Sequence, residues 1–143
     1  MVERYRSKLR GPLADRIDLM LDVTRPDPQV IIEGAEGMSS AELRDYVVRG
    51  RAFRAWRESR MDDADAEAED DESRSIDGVV STFALDEAAE KCVLGLSKRT
   101  HLTGRGIVRL VRIARTIADV AESERVTQDH VLEAAMYQGR RDQ

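Results

Sequence analysis

Apolar positions recur at every second residue from Ile17 to Val23, where Ile17, Leu19, Leu21 and Val23 are separated by Asp18, Met20 and Asp22. A period of two is that of a strand with one face buried. The turn residues of Arg10-Gly-Pro-Leu-Ala-Asp-Arg16 lead into it. Val30-Ile31-Ile32 is a second apolar run, which would pair with the first as a hairpin across a connection stiffened by Pro26 and Pro28. No third strand follows, and an isolated hairpin is marginal in water. The pattern therefore predicts one or two short strands whose sheet is completed outside this chain.

The period then changes. Ser39-Ser-Ala-Glu42 has the form of a capping box, which satisfies orphan backbone donors at a helix start, and a helix is expected from about Ala41. Leu43, Tyr46, Val47, Gly50 and Phe53 recur on one side of it, and Arg44, Arg49, Arg51, Arg54 and Arg57 are expected on its outer surface. From Asp62 to Glu72 the chain is almost wholly Asp, Glu and Ala. Like charges with nothing to bury predict an extended acidic loop, read as a solvated insertion in preference to an internal anion docking on the arginines.

Three further helices are predicted by their caps. One starts near Asp86 and runs through Cys92 to about Leu96 or Ser97, weakened at its end by Gly95. Thr103 caps the longest, with Ile107, Leu110, Val111, Ala114, Ile117, Ala118 and Ala121 turned to a core. Thr127 caps the last, which has Asp129 in its first turn, Val131, Leu132, Ala135 and Met136 inward, and Gly139 at its end. The fold class is mainly α, a bundle of about four helices with one or two short N-terminal strands. Its expected divisions are 1–35, 36–60 (a connecting amphipathic helix), 61–77 (the acidic loop) and 78–143 (the helical domain).

Composition changes this picture little. In 143 residues, 4% aromatic and 36% charged content suits helices packed through aliphatic side chains. A net charge of −5 gives the whole molecule no reason to coat nucleic acid and leaves any steering to local patches. The single cysteine, Cys92, lies on an apolar stripe with no second Cys to pair with, so it is read as core. No signal segment or spanning helix is evident, and a cytoplasmic setting without membrane contact is expected.

Candidate chemistry is confined to arginines. Arg105, Arg109 and Arg112 stand at i, i+4 and i+7 of the long helix, a like-charge stripe that a bound anion would relieve. Arg105 lies in the first turn, where unpaired N–H groups and the helix dipole already favour phosphate. Pairing with acids of other helices, or plain hydration, explains the same stripe equally well. The chain has no Gly-x-x-x-x-Gly-Lys-Ser/Thr loop, so a complete NTPase site is excluded. His101 and His130 have no partners at metal-ligand spacing, and Asp15 and Asp18 are read as turn and ion-pair residues without a catalytic role.

Two blocks carry a resemblance. Tyr5-Arg-Ser-Lys-Leu-Arg-Gly-Pro-Leu-Ala-Asp-Arg-Ile-Asp-Leu19 is similar to a segment of the magnesium-chelatase-like, ComM-type AAA+ ATPases. Leu102-Thr-Gly-Arg-Gly-Ile-Val-Arg-Leu-Val-Arg-Ile-Ala-Arg-Thr-Ile-Ala-Asp119 resembles a later signature of the same group, continued from Asp129-His130 to Tyr137. The chain departs from the pattern at Arg10, where the group usually has Ser, and around the acidic loop.

The resemblance implies that the chain is the lid and the end of the core of a ring-forming motor. Arg16 would be the arginine finger that reaches ATP held by a neighbouring subunit. Arg105 would be the second sensor, with Arg109 as its alternate. ATP and Mg would bind only in the full assembly, whose phosphate loop and magnesium-binding acids would come from an upstream ATPase core. A homo-hexamer acting on DNA is the implied assembly. Two rivals stand beside this reading. One is a stand-alone DNA-binding module whose helices from Thr103 and Thr127 form a helix-turn-helix; the other is a regulatory interaction module that kept the lid fold alone.

Overall fold

A computed structural model describes residues 17–21, 23–34, 37–60 and 82–138. Among them the chain is helical, with five helices and no sheet. The acidic loop, Arg16 and Gly139 lie outside the described residues.

The expected hairpin is replaced by irregular chain and a short helix. Residues 17–21 and 23–27 form neither helix nor strand, and Leu19, Leu21 and Val23 are exposed. Alternation is only a template for pairing, and no neighbouring strand is described here to supply the other half of a ladder. Val30-Ile31-Ile32 falls within helix α1 (Pro28–Glu33). The cause is local: Asp27 Oδ1 accepts the Gln29 N–H at 2.9 Å, and Pro28 occupies the first helical position, where its missing N–H costs nothing. Gly34 ends the helix at φ +66°.

Helix α2 (Ser40–Glu58) begins as its capping box predicts. Ser39 Oγ accepts the Glu42 N–H at 3.3 Å, and Glu42 Oε2 accepts the Ser39 N–H at 2.7 Å. The Ser39 hydroxyl also donates to Glu42 Oε2 at 2.7 Å, and this bond, with that from the Ser39 N–H, holds the Glu42 carboxyl below its ordinary range by favouring the charged form. The predicted apolar side is only half used. Every residue from Ser40 to Arg49 is exposed, including Leu43, Tyr46 and Val47, and burial starts at Gly50. Gly50 meets Val120, the last residue of the long helix, so closely that an added Cβ would lie 3.0 Å from Val120 Cγ2 and 3.2 Å from its Cα.

The remaining helices form the core. They are α3 (Glu87–Thr100), α4 (Gly104–Val120) and α5 (Gln128–Tyr137). Helix α4 packs against α2, α3 and α5, and α3 also packs against α5. Asp86 and Thr103 cap as predicted, accepting the Ala89 N–H at 2.7 Å and the Gly106 N–H at 3.1 Å. At Thr127 the box is closed by an imidazole, with His130 Nδ1 accepting the Thr127 N–H at 3.1 Å. Just before α3 and α5, Leu85 and Val126 form a parallel bridge, so both helices set out from one edge.

Leu110, Val111, Ala114 and Ala118 of α4 are buried with Ala89, Val93, Val131 and Ala134. Two boundaries differ from expectation. Helix α3 continues a turn past Ser97, because the left-handed residue that stops it is His101, at φ 50°. On α5 the buried pair is Val131 and Ala134, whereas Leu132 and Met136 are exposed. Leu132 sits about 100° around the helix from Val131 and Met136 about 160° from Ala134, a phase that a ten-residue helix specifies weakly.

Candidate functional site

The first turn of α4 is set by Thr103, whose hydroxyl reaches the Gly106 N–H. That cap fixes the helix start and leaves Arg105 exposed beside the positive end of the dipole. Its guanidinium is therefore presented where an anion is favoured.

The arginine stripe does not remain one open face. Arg105 and Arg112 are exposed, but Arg109 between them is only 8% exposed. The N-terminal segment crosses it there, and Arg109 Nη1 donates to the Ile17 carbonyl at 3.0 Å. Three residues on, the Met20 N–H donates to the Tyr137 carbonyl at the end of α5, at 2.7 Å. Gln138 Nε2 closes the group by donating to the Gly106 carbonyl at 3.4 Å. The structure thus assembles Arg105, Arg109, the segment that follows Arg16, and the end of α5.

A second polar cluster escaped the sequence reading. Arg57, expected on the outer surface, is buried at 8% exposure, with Arg115 and Asp119 buried beside it. Arg57 Nε donates to Asp119 Oδ1 at 3.1 Å, and Arg115 Nη2 lies 2.9 Å from the same oxygen. Arg115 also donates to the Glu124 and Ser123 carbonyls, which fastens the turn after α4. One signal was available: Arg57 stands seven residues after Gly50, on the same side of α2. Its partners form an i, i+4 pair embedded in an apolar helix.

Along one edge of α2, Arg49 stacks over Tyr46 at 4.8 Å, Phe53 meets Trp56 at 5.1 Å, and Arg60 stacks over Trp56 at 5.1 Å. Tyr46 and Trp56 are exposed. Cys92 packs half-buried against the core, and burial pushes its thiol pKa up, partly offset by Arg99. It is suited to packing and poorly suited to nucleophilic attack.

No group of three or more His, Cys, Asp or Glu among the described residues could hold a metal ion. Among the described residues, Arg105 places a cation at the capped start of α4. No described helix is long and apolar enough to cross a membrane.

Comparison with known proteins gives the chain a family. Over 135 residues, 94% of this chain and 25% of the relative, the chain is 32% identical to the protein YifB of Escherichia coli (strain K12). It is 30% identical to the competence protein ComM of Haemophilus influenzae over 137 residues, 95% of this chain and 25% of that protein. The chain thus spans about a quarter of the length of these curated relatives. The family described as magnesium chelatase, subunit ChlI C-terminal, matches residues 37–138, from just before α2 to the end of α5. The chain belongs to this magnesium chelatase C-terminal family.

Proposed function

We propose that the chain is the lid and finger segment of an ATP-driven ring motor, working with an ATPase core that precedes it. Arg105 senses the γ-phosphate of the nucleotide held by its own subunit, and Arg16 reaches the nucleotide of the neighbour in a homo-hexamer. The observation that carries this reading is the exposed Arg105 in the capped first turn of a family lid helix. ATP with Mg, when bound, supplies the phosphoryl group and its charge. The chain's own part is to place guanidinium groups where that charge grows. DNA is the proposed substrate, in keeping with the competence protein among the relatives.

The test is ATP turnover by the full-length ATPase with Arg105→Ala. Losing one positioned donor should lower kcat by roughly a hundredfold, and the chain alone should show no turnover. An unchanged kcat in the variant would sink the assignment.

A second reading has its own observation. The alternation of Tyr46, Arg49, Trp56 and Arg60 along α2 suits single-stranded nucleic acid, with rings to stack on bases and cations for phosphates. A helix-turn-helix of α4 and α5 is less suited, since Arg109 and Arg115 are buried on carbonyls and Asp119. Quenching of Trp56 by an oligothymidylate, relieved by salt, would favour contact through α2.

A further inference from the structure

We infer that the two ends of the α3–α5 bundle carry opposite charge and dock head to tail, the basic end of one copy against the acidic end of the next. The inference rests on the proposed ring and names the surfaces by which this domain meets its neighbours there.

Three contacts define the ends. The Leu85–Val126 bridge starts α3 and α5 from one edge. Gln138 on the Gly106 carbonyl sets the end of α5 beside the start of α4. The Leu102 N–H on the Ser97 carbonyl, at 3.2 Å, turns the chain from the end of α3 towards α4. One end therefore gathers the starts of α3 and α5 and the turn that leaves α4. The other gathers the end of α3, the start of α4 and the end of α5.

Charge divides along the same line. At the first end stand Asp86, Glu87, Glu90, Glu122, Glu124 and Asp129, with Arg125 among them. At the second stand Lys98, Arg99 and Arg105. Between Glu90 and Asp119 the sequence has no Asp or Glu at all. Neighbouring groups soften the division without reversing it. Lys91, a turn inward, pairs with Glu87, and Arg49 of α2 reaches Glu122 at 3.9 Å. The N-terminal segment brings Asp18 to the basic end.

Helix dipoles explain only half of this. Acids at the start of α3 and cations at its end suit its own dipole. Helix α4 is charged against its dipole, with Arg105 in its first turn and Asp119 in its last. The polarity thus belongs to the ends of the bundle and not to each helix. With Arg105 assigned to phosphate, Lys98 and Arg99 are the exposed cations left for a partner. A nucleic acid would meet the basic end and leave the acidic end unanswered, whereas a second copy uses both. Unlike faces on one body make a heterologous contact, the kind that closes into a ring, and complementary potentials fix its register.

The test is charge reversal in the full-length ATPase, read by sedimentation at low salt. Lys98→Glu with Arg99→Glu leaves both ends acidic. Glu87→Lys with Glu124→Lys and Asp129→Lys leaves both basic. All five positions are exposed, so the Val111 and Ala114 amides should keep their protection from exchange. Each variant alone should assemble roughly tenfold or more weakly than wild type, and a mixture of the two should recover assembly, because every contact then joins unlike charges. Folded variants that assemble as wild type does, or a mixture that recovers nothing, overturn the contact. Lys98→Glu with Arg99→Glu that keeps its assembly and loses duplex DNA binding would turn the basic end over to nucleic acid and overturn it too. A wild type that stays monomeric at every concentration removes the ring reading and this contact with it; an assembled wild type with equally assembled variants removes the contact alone.

Discussion

Helix α4 meets α3 and α5 through aliphatic side chains, and meets α2 through a buried carboxylate and a glycine. On the first side Leu110, Val111 and Ala114 pack with Val93, Val131 and Ala134, contacts that have no direction and scale with area. On the second, Asp119 sits between Arg57 and Arg115, and Gly50 lies against Val120. A hydrophobic seam weakens by degrees as volume is lost. A seam built on one carboxylate and one backbone approach fails when either is removed. The bundle should therefore behave as a single unit, with α2 as a part that can come away from it.

The largest expected effect breaks the polar side. Asp119→Ala leaves two buried guanidinium groups without the carboxylate between them and should cost about 3–5 kcal/mol. Leu110→Ala, in the apolar seam, should cost about 2–5 kcal/mol by loss of transfer energy and a cavity. The two differ in kind more than in size. Trp56 is the chain's single tryptophan and lies on α2. In urea, Leu110→Ala should shift Trp56 fluorescence and far-UV circular dichroism together. Asp119→Ala should release Trp56 first. Coincident transitions in both variants would show that α2 and the bundle are one cooperative unit.

Two glycines sharpen the same contrast at a smaller scale. A methyl at Gly50 would press on the Val120 backbone, which has no flexible end to move aside, so Gly50→Ala should cost about 1–3 kcal/mol. Gly95 sits inside α3 with nothing within reach of an added Cβ. There the substitution only removes a helix-breaking residue, and Gly95→Ala should raise stability by about 1 kcal/mol. Thermal melts of the pair should move in opposite directions. A shift of the same sign in both would mean that α2 does not rest on Val120 as closely as the geometry has it.

The same division separates what the sequence made legible from what it did not. Ser39, Asp86, Thr103 and Thr127 announced their helices because a cap is satisfied within three residues. Arg105 was legible for that reason too: its setting is the turn it belongs to. Asp27-Pro28 was an equally local signal for α1, overridden in reading by the β-branched run Val30-Ile31-Ile32. Other features depend on distant partners. The burial of Arg109 requires Ile17, and that of Arg57 requires Asp119, 62 positions later. The alternation from Ile17 to Val23 was real, but a strand is made by its neighbour. His101 shows a third case, since a left-handed stop at a histidine carries no glycine to mark it.

The smallest effect concerns the start of α2, where every residue from Ser40 to Arg49 is exposed, an Arg49–Glu122 ion pair at 3.9 Å reaches the far end of that stretch, and the capping box holds the first turn. The Glu42 carboxyl is held below its ordinary 4.5 by the Ser39 hydroxyl and N–H, both of which favour the charged form. A lowered folded value means that the box stabilises fully above the unfolded value and loses its contribution as pH falls through the folded one. The window thus lies below pH 4.5, and neutral conditions leave it intact. Glutamine can occupy the same capping position without a charge. Glu42→Gln should therefore keep α2 formed near neutrality and lose this part of its acid sensitivity. Glu42→Ala should fray residues 40–49 at every pH. Amide exchange at Leu43, whose N–H donates to the Ser39 carbonyl, reads the difference locally. Equal acid sensitivity in wild type and Glu42→Gln would mean that the first turn is held by something other than this carboxylate, and that the overhanging half of α2 has a support beyond its own cap.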